Sequence, residues 1–158
     1  MKIVYALQPL QKSIMLLGPT PRHDHVPTWR PEALQILERI GFDGTVFVPE
    51  ASDWAKHDLY DAQVSWEWEA LEQATVRAFW IPRNIAEMPG FTSNVEFGMS
   101  AHSGGRTVLG APSDAPKMGY LYAMAERYHI PVYSSLQTTL EAAVILADAF
   151  YNRAVKRA

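Results

Sequence analysis

The chain has 158 residues, 48% hydrophobic and 20% charged, enough to bury the core of one α/β domain but too few for two comfortable ones. A single domain over residues 1–158 is expected, and a formal net charge of -3 with no Lys/Arg run argues against nucleic-acid polymer as a partner. The absence of cysteine excludes disulfides, thiolate metal sites and a Cys nucleophile; the opening segment MKIVYALQPLQKS matches neither a signal peptide nor a membrane span, so a cytoplasmic protein without membrane contact is expected.

Apolar runs and helical periodicities alternate along the chain. KIVYAL near the start is a candidate edge strand, and SIMLLG (Ser13 to Gly18) reads as a central strand ending in the turn GPTPR. A loop holding RHDHVP follows. Trp29 to Ile40 then places Leu34, Leu37 and Ile40 at helical spacing, with Pro31 tolerated in the first turn and Gly41 as the stop. TVFVP (Thr45 to Pro49) is the second strand, and EASDWAKHDLYD is a polar loop leading into a helix from Tyr60 to Gln73. VRAFWIP (Val76 to Pro82) is the third strand and Thr92 to Ser103 the next helix. RTVLGAP (Arg106 to Pro112), a helix over Lys117 to Tyr128, PVYS (Pro131 to Ser134) and a closing helix over Thr138 to Arg157 complete the chain.

This alternation predicts a flavodoxin-like, doubly wound, five-stranded parallel sheet with helices on both faces, whose ligand site lies beyond the carboxyl ends of the strands. The loops after Gly18, Pro49, Pro82 and Gly110 would meet there.

Several residues in those loops carry chemistry. Glu96 is expected in the first turn of a helix starting around Thr92 to Asn94, where free N–H groups and the dipole would keep its carboxylate ionised, as a nucleophile requires. Ser93-Asn94-Val95-Glu96 also fits a capping box, in which the glutamate merely reaches back to the helix start. Glu67 shares a helix face with Ala70 and Leu71, so it either points inward or joins Glu69 and Glu72 on a solvated surface. In GPTPR, Gly18 permits close backbone approach and Arg22 suits a phosphate or carboxylate, although neither a P-loop nor a GxGxxG pattern is present. Arg30 suits the same anion, and Trp29 is either a stacking surface or a packing anchor. His23-Asp24-His25 has metal-ligand types but no further ligand at motif spacing, so no metal site is assigned. His57, His102 and His129 lack the partners of a hydrolytic triad.

Taken in order, GPTPR, WRPEAL, GFDGTVFVPE, QVSWEWEAL, FWIPR, NVEFG and GRTVLGAP resemble the nucleoside 2-deoxyribosyltransferase family, particularly a branch with the FWIPR and NVEFG signatures, over about Ser13 to Ser135. The resemblance implies a flavodoxin-like fold and a retaining transfer of 2-deoxyribose between nucleobases. It makes Glu96 of VEFG the nucleophile and Glu67 the acidic residue that positions the sugar or assists the base, with neither metal nor organic cofactor required. It assigns Gly18, Pro19, Thr20 and Arg22 to the sugar and base pocket. Trp29, Arg30, Trp80, Arg83 and Asn94 join the substrate-binding set. Ser134 and Ser135 correspond to a region that enters a neighbouring subunit's pocket, implying a homo-oligomer. A similar scaffold serves N-glycosidases of deoxynucleosides and their 5′-monophosphates, for which Arg22, Arg30 or Arg83 would bind the phosphate, and a non-catalytic nucleotide-binding module is the remaining alternative. The chain departs from the family in carrying Thr75 before the third strand and GFTSN ahead of Glu96, where better-studied members have aspartates.

Overall fold

The computed structural model describes residues 11–23, 25–50, 60–102 and 105–156. The expected KIVYAL strand, Asp24, His57 and most of the EASDWAKHDLYD loop lie outside these residues.

Five strands, β1 (Ser13–Leu17), β2 (Thr45–Phe47), β3 (Val76–Trp80), β4 (Thr107–Gly110) and β5 (Val132–Tyr133), form one all-parallel sheet in the order β2-β1-β3-β4-β5. Five helices follow them in turn: α1 (Arg30–Ile40), α2 (Tyr60–Gln73), α3 (Phe91–His102), α4 (Gly119–Arg127) and α5 (Leu136–Lys156). This is the flavodoxin-like α/β arrangement. The strand order reverses between β1 and β3, which opens a crevice at their carboxyl ends.

Alternation along the buried strands builds two cores. Met15 and Leu17 of β1 and Phe79 of β3 face α2, α3 and α4, whereas Ile14, Leu16, Val76 and Ala78 face α1 and α5. Phe97 of α3 is fully buried and meets the Phe79 ring edge-to-face, with centroids 5.1 Å apart. That contact fixes α3 on β3 through a residue adjacent to Glu96. Burying a side chain of this size contributes about 1.5–3 kcal/mol, and the geometry of the aromatic pair adds to it.

The elements differ from expectation mainly at their ends. On α1 the buried face is Arg30, Ala33, Ile36 and Leu37, while Leu34 is 41% exposed. Leu37 of the expected stripe shares the side turned toward the sheet with Ile36, small Ala33 and the long Arg30 stem, whereas Leu34 turns outward. α3 begins at Phe91, with the Gly90 carbonyl already accepting from the Asn94 N–H at 3.2 Å. Only Val132–Tyr133 of PVYS pair with β4. Among the described residues, no helix is long and apolar enough to cross a membrane.

Gly18, which ends β1, has φ +151, and a Cβ there would stand 2.0 Å from the Trp80 carbonyl oxygen. Its role begins with the close passage of two strand ends, because only a residue without a side chain lets β1 and β3 leave the sheet side by side. Gly18→Ala is therefore expected to destabilise the fold by about 1–3 kcal/mol. Chemical denaturation checks this, and an unchanged midpoint would contradict it.

Candidate active site

The crevice at the strand reversal holds a cavity of about 310 Å³, at the lower end of the range for small-molecule sites. One wall is the β1–α1 loop, through Gly18, Pro19, Thr20 and Arg22. A second is α2, through Gln63, Val64 and Glu67. The third runs from Pro89 and Gly90 into α3, through Phe91, Thr92, Ser93 and Glu96; Arg30 and Pro49 complete the lining. The loop after Gly110 contributes none of the lining, contrary to expectation; the cavity sits at the β1–β3 reversal, and β4 lies on the far side of β3 from β1.

Glu96 lies in the second turn of α3, not the first. Ser93 is an internal, buried helical residue, so the capping box anticipated at Ser93–Glu96 does not form. The change in register also alters the electrostatics, since the dipole's influence falls off beyond the first turn. Burial pushes the Glu96 carboxyl up from its ordinary 4.5 to about 7; the charge of Glu67 pushes it the same way, and Arg30 opposes both. The sequence expectation of a carboxylate held firmly ionised is thus corrected. Near neutrality Glu96 is divided between its two forms, and its ionised form is poorly solvated and correspondingly basic.

Glu67 points inward, one of the two placements that the face it shares with Ala70 and Leu71 left open, and accepts a hydrogen bond from Gln63 Nε2 at 2.8 Å. Glu69 and Glu72 stay on the exposed side of α2.

Arg30 is only 2% exposed. Its Nη2 donates to the Gly18 carbonyl at 2.9 Å, and its Nη1 donates to Thr20 Oγ1 at 3.1 Å and Glu50 Oε1 at 2.5 Å. Burial lowers the affinity of the guanidinium for its proton, and Glu50 is the main group favouring the charge. Arg30 thereby shapes the loop lining the cavity. Trp29 does so as well: its Nε1 donates to the Pro19 carbonyl at 3.1 Å and its ring lies against Arg30. It is a packing anchor and not part of the lining.

The other anticipated residues lie around this cavity rather than on its wall. Trp80 is buried at the end of β3, beside Gly18 and Gly110. Arg83 donates to the Lys117 carbonyl at 3.0 Å and to Asn94 Oδ1, so these two residues fasten the β3–α3 loop to α3. Ser135 caps α5, its Oγ accepting from the Thr138 N–H at 3.1 Å, and neither it nor exposed Ser134 reaches the cavity of this chain. Thr75 sits at the amino end of β3, bonded to Ser13, remote from the carboxyl end where the cavity opens. His23 and His25 stack in an exposed loop, and among the described residues no group of three or more His, Asp or Glu is arranged to hold a metal ion.

The long β3–α3 loop forms an ordered entrance. Asn84 Oδ1 accepts from the Ala86 and Glu87 N–H groups, Asn84 and Met88 pair across a bridge, and the Glu87 carbonyl accepts from the Arg22 N–H at 3.0 Å. Gly90, with φ +67, then turns the chain into α3 against Pro19. Sequence reasoning gave no role to Gln63 or Glu50. The available signals were Gln63 four residues before Glu67 on one helix face, and an acid directly after a core strand.

Because its folded-state affinity for a proton is raised, Glu96 favours the fold below pH 4.5, and that contribution is lost as pH rises toward about 7. Glu96→Gln is therefore expected to be more stable than the parent at pH 8 by up to about 3 kcal/mol, with the two converging at pH 4. Urea denaturation at both values tests this; a variant less stable at pH 8 would show that the carboxylate serves the helix instead.

No curated protein matches the chain. A family model described as nucleoside 2-deoxyribosyltransferase-like matches residues 11–115 of the 158, a stretch that includes every residue lining the cavity. Matched over about two thirds of its length, through all three walls of the crevice, the chain belongs to the nucleoside 2-deoxyribosyltransferase-like family.

Proposed function

We propose that this protein transfers 2-deoxyribose from one nucleobase to another through a covalent sugar ester on Glu96. The observation that carries the reading is the Glu96 carboxyl on the wall of a ligand-sized cavity, facing a second carboxyl and free of the capping role. The ionised carboxylate attacks C1′, the glycosidic C–N bond breaks, and its electron pair leaves with the base, which takes up a proton. Glu67 positions the sugar and assists that proton transfer. A nitrogen of the incoming base then attacks C1′, the ester C–O bond breaks, Glu96 is restored and the new base gives up its proton. A wall offering no partner to a 2′-hydroxyl would discriminate against ribose, since burying an unsatisfied hydroxyl is unfavourable. The reaction runs without metal or organic cofactor, and a cytoplasmic location accords with the cysteine-free composition.

With Glu96 as nucleophile, kcat/KM falls on the acid side of about pH 7 as the carboxyl becomes protonated. Incubating a deoxynucleoside with a foreign base is expected to yield the exchanged nucleoside, and Glu96→Gln to abolish it while the fold persists. Free deoxyribose accumulating without exchange would instead identify an N-glycosidase.

One observation favours a 5′-monophosphate as substrate. Arg22 is exposed on the cavity lining, with its guanidinium 5.8 Å from the Phe91 ring centroid, whereas the Arg30 and Arg83 side chains are bonded within the protein. If Arg22 receives a phosphate, Arg22→Ala removes the advantage of monophosphate over nucleoside and leaves nucleoside turnover intact; equal rates for both substrates in the parent would exclude this reading.

The proposal extends to a homo-oligomer with shared pockets. Its support is an apolar stripe on α3, where Phe91, Val95 and Met99, at i, i+4 and i+8, are 69%, 63% and 55% exposed and start at the cavity lining. Light scattering is expected to give at least twice the mass of one chain, and Met99→Glu to reduce both mass and activity. A monomer with full activity would refute it.

A further inference from the structure

We propose that Glu50 is a positioning residue for this cavity: its carboxylate holds the buried Arg30 guanidinium against the β1–α1 loop and limits the positive charge that Arg30 presents to Glu96. The proposal rests on the reading of Glu96 as the nucleophile.

Glu50 stands three residues beyond the end of β2, in the β2–α2 connection. Its Oε1 accepts from Arg30 Nη1 and, at 2.8 Å, from Thr28 Oγ1, which leads into α1. Arg30 directs its remaining contacts to Gly18 and Thr20, both cavity-lining residues, and rests on the Trp29 ring. One buried guanidinium therefore ties the end of β1 to the β2–α2 connection, and Glu50 is its sole ion-pair partner among the described residues. A buried cation without such a partner would carry a large desolvation penalty.

The pairing has a consequence at the opposite wall. Glu96 is faced by Glu67 from α2, Arg30 from α1 and Arg22 from the β1–α1 loop, while Arg83 and Glu87 of the β3–α3 loop line no part of the cavity. α3 carries no other charged residue between Phe91 and Met99. Burial is the main reason Glu96 holds its proton, and the balance between Glu67 and Arg30 adjusts how readily it ionises; Glu50, paired with Arg30, offsets the Arg30 side of that balance. Removing the Glu50 charge leaves the positive charge of Arg30 uncompensated, and that single change favours ionised Glu96.

Glu50→Gln and Glu50→Asp separate this role from simple support of the loop. In Glu50→Gln the acid limb of kcat/KM is expected to move from about pH 7 to lower pH by roughly half a unit or more. In Glu50→Asp, which restores the charge, it returns toward the parent position. Carbon-13 NMR titration of the Glu96 side-chain carboxyl should follow the same order, and it requires no turnover. If the reading of Glu96 as nucleophile were wrong, the NMR titration would still move while the rate profile did not. The double variant Glu50→Gln/Arg30→Met removes both charges and is expected to bring the titration back toward the parent value; a titration that stays low would mean that the loop has merely opened to water. An unshifted carboxyl in a folded Glu50→Gln protein, or a Glu50→Gln protein that does not fold, would assign Glu50 to stability alone and overturn the proposal.

Discussion

Glu96 occupies its place because hydrophobic packing on one side of α3 outweighs the electrostatic discomfort of a half-buried carboxyl on the other. Phe97, fully enclosed against Phe79, fixes the rotation of the helix, and the next residue back is thereby presented to the crevice whether or not its charge is well solvated there. Removing a buried phenylalanine costs about 3–5 kcal/mol, comparable to or larger than the penalty for keeping a glutamate ionised at this depth. The fold can therefore sustain an uncomfortable acid, and such an acid has the poorly solvated, basic carboxylate that covalent catalysis exploits.

The same logic extends to the wall opposite. Gly18 lets β1 and β3 part at close quarters, Trp29 and Arg30 then bind the loop that follows from beneath, and Glu50 balances the guanidinium. The charges around the cavity alternate in consequence: Glu67 raises the proton affinity of Glu96, Arg30 lowers it, and Glu50 favours the charge on Arg30. Arg22 stands apart, exposed beside Phe91, and gives the mouth a different electrostatic character from the interior.

Much of this was legible from residue order, and the exceptions have specific causes. Strand cores such as SIMLL and VRAFW are apolar runs bounded by turn residues, so their number and parallel arrangement follow from composition and connection length. The inward turn of Glu67 is one of the two placements that its spacing to Ala70 and Leu71 left open. The start of α3 was misjudged because Ser93 and Glu96 mimic a capping box, whereas the actual start uses Gly90 at positive φ, a choice dictated by the approach of Pro19 from a distant loop. On α1, Leu37 lies in the core and Ile40 packs against it as their spacing suggested, but Leu34 turns outward and burial falls also to Ala33 and to Arg30, whose charge is acceptable only because it pairs with Glu50 beyond the next strand. Pairings of that kind join residues 20 positions apart and leave no periodic trace. Arg83 and Asn94 show the converse, a signature arginine and asparagine bonded to each other to fasten a loop.

The account turns on Glu96 as the atom donor to C1′. Incubation with a 2-fluoro-2-deoxyarabinosyl nucleoside, whose fluorine slows release of the sugar, followed by peptide mapping by mass spectrometry, tests that claim directly. The account predicts one sugar adduct per chain, on the peptide containing Glu96 and absent from Glu96→Gln. An adduct on a different acid, or none in a preparation that is turning over deoxynucleosides, would contradict it.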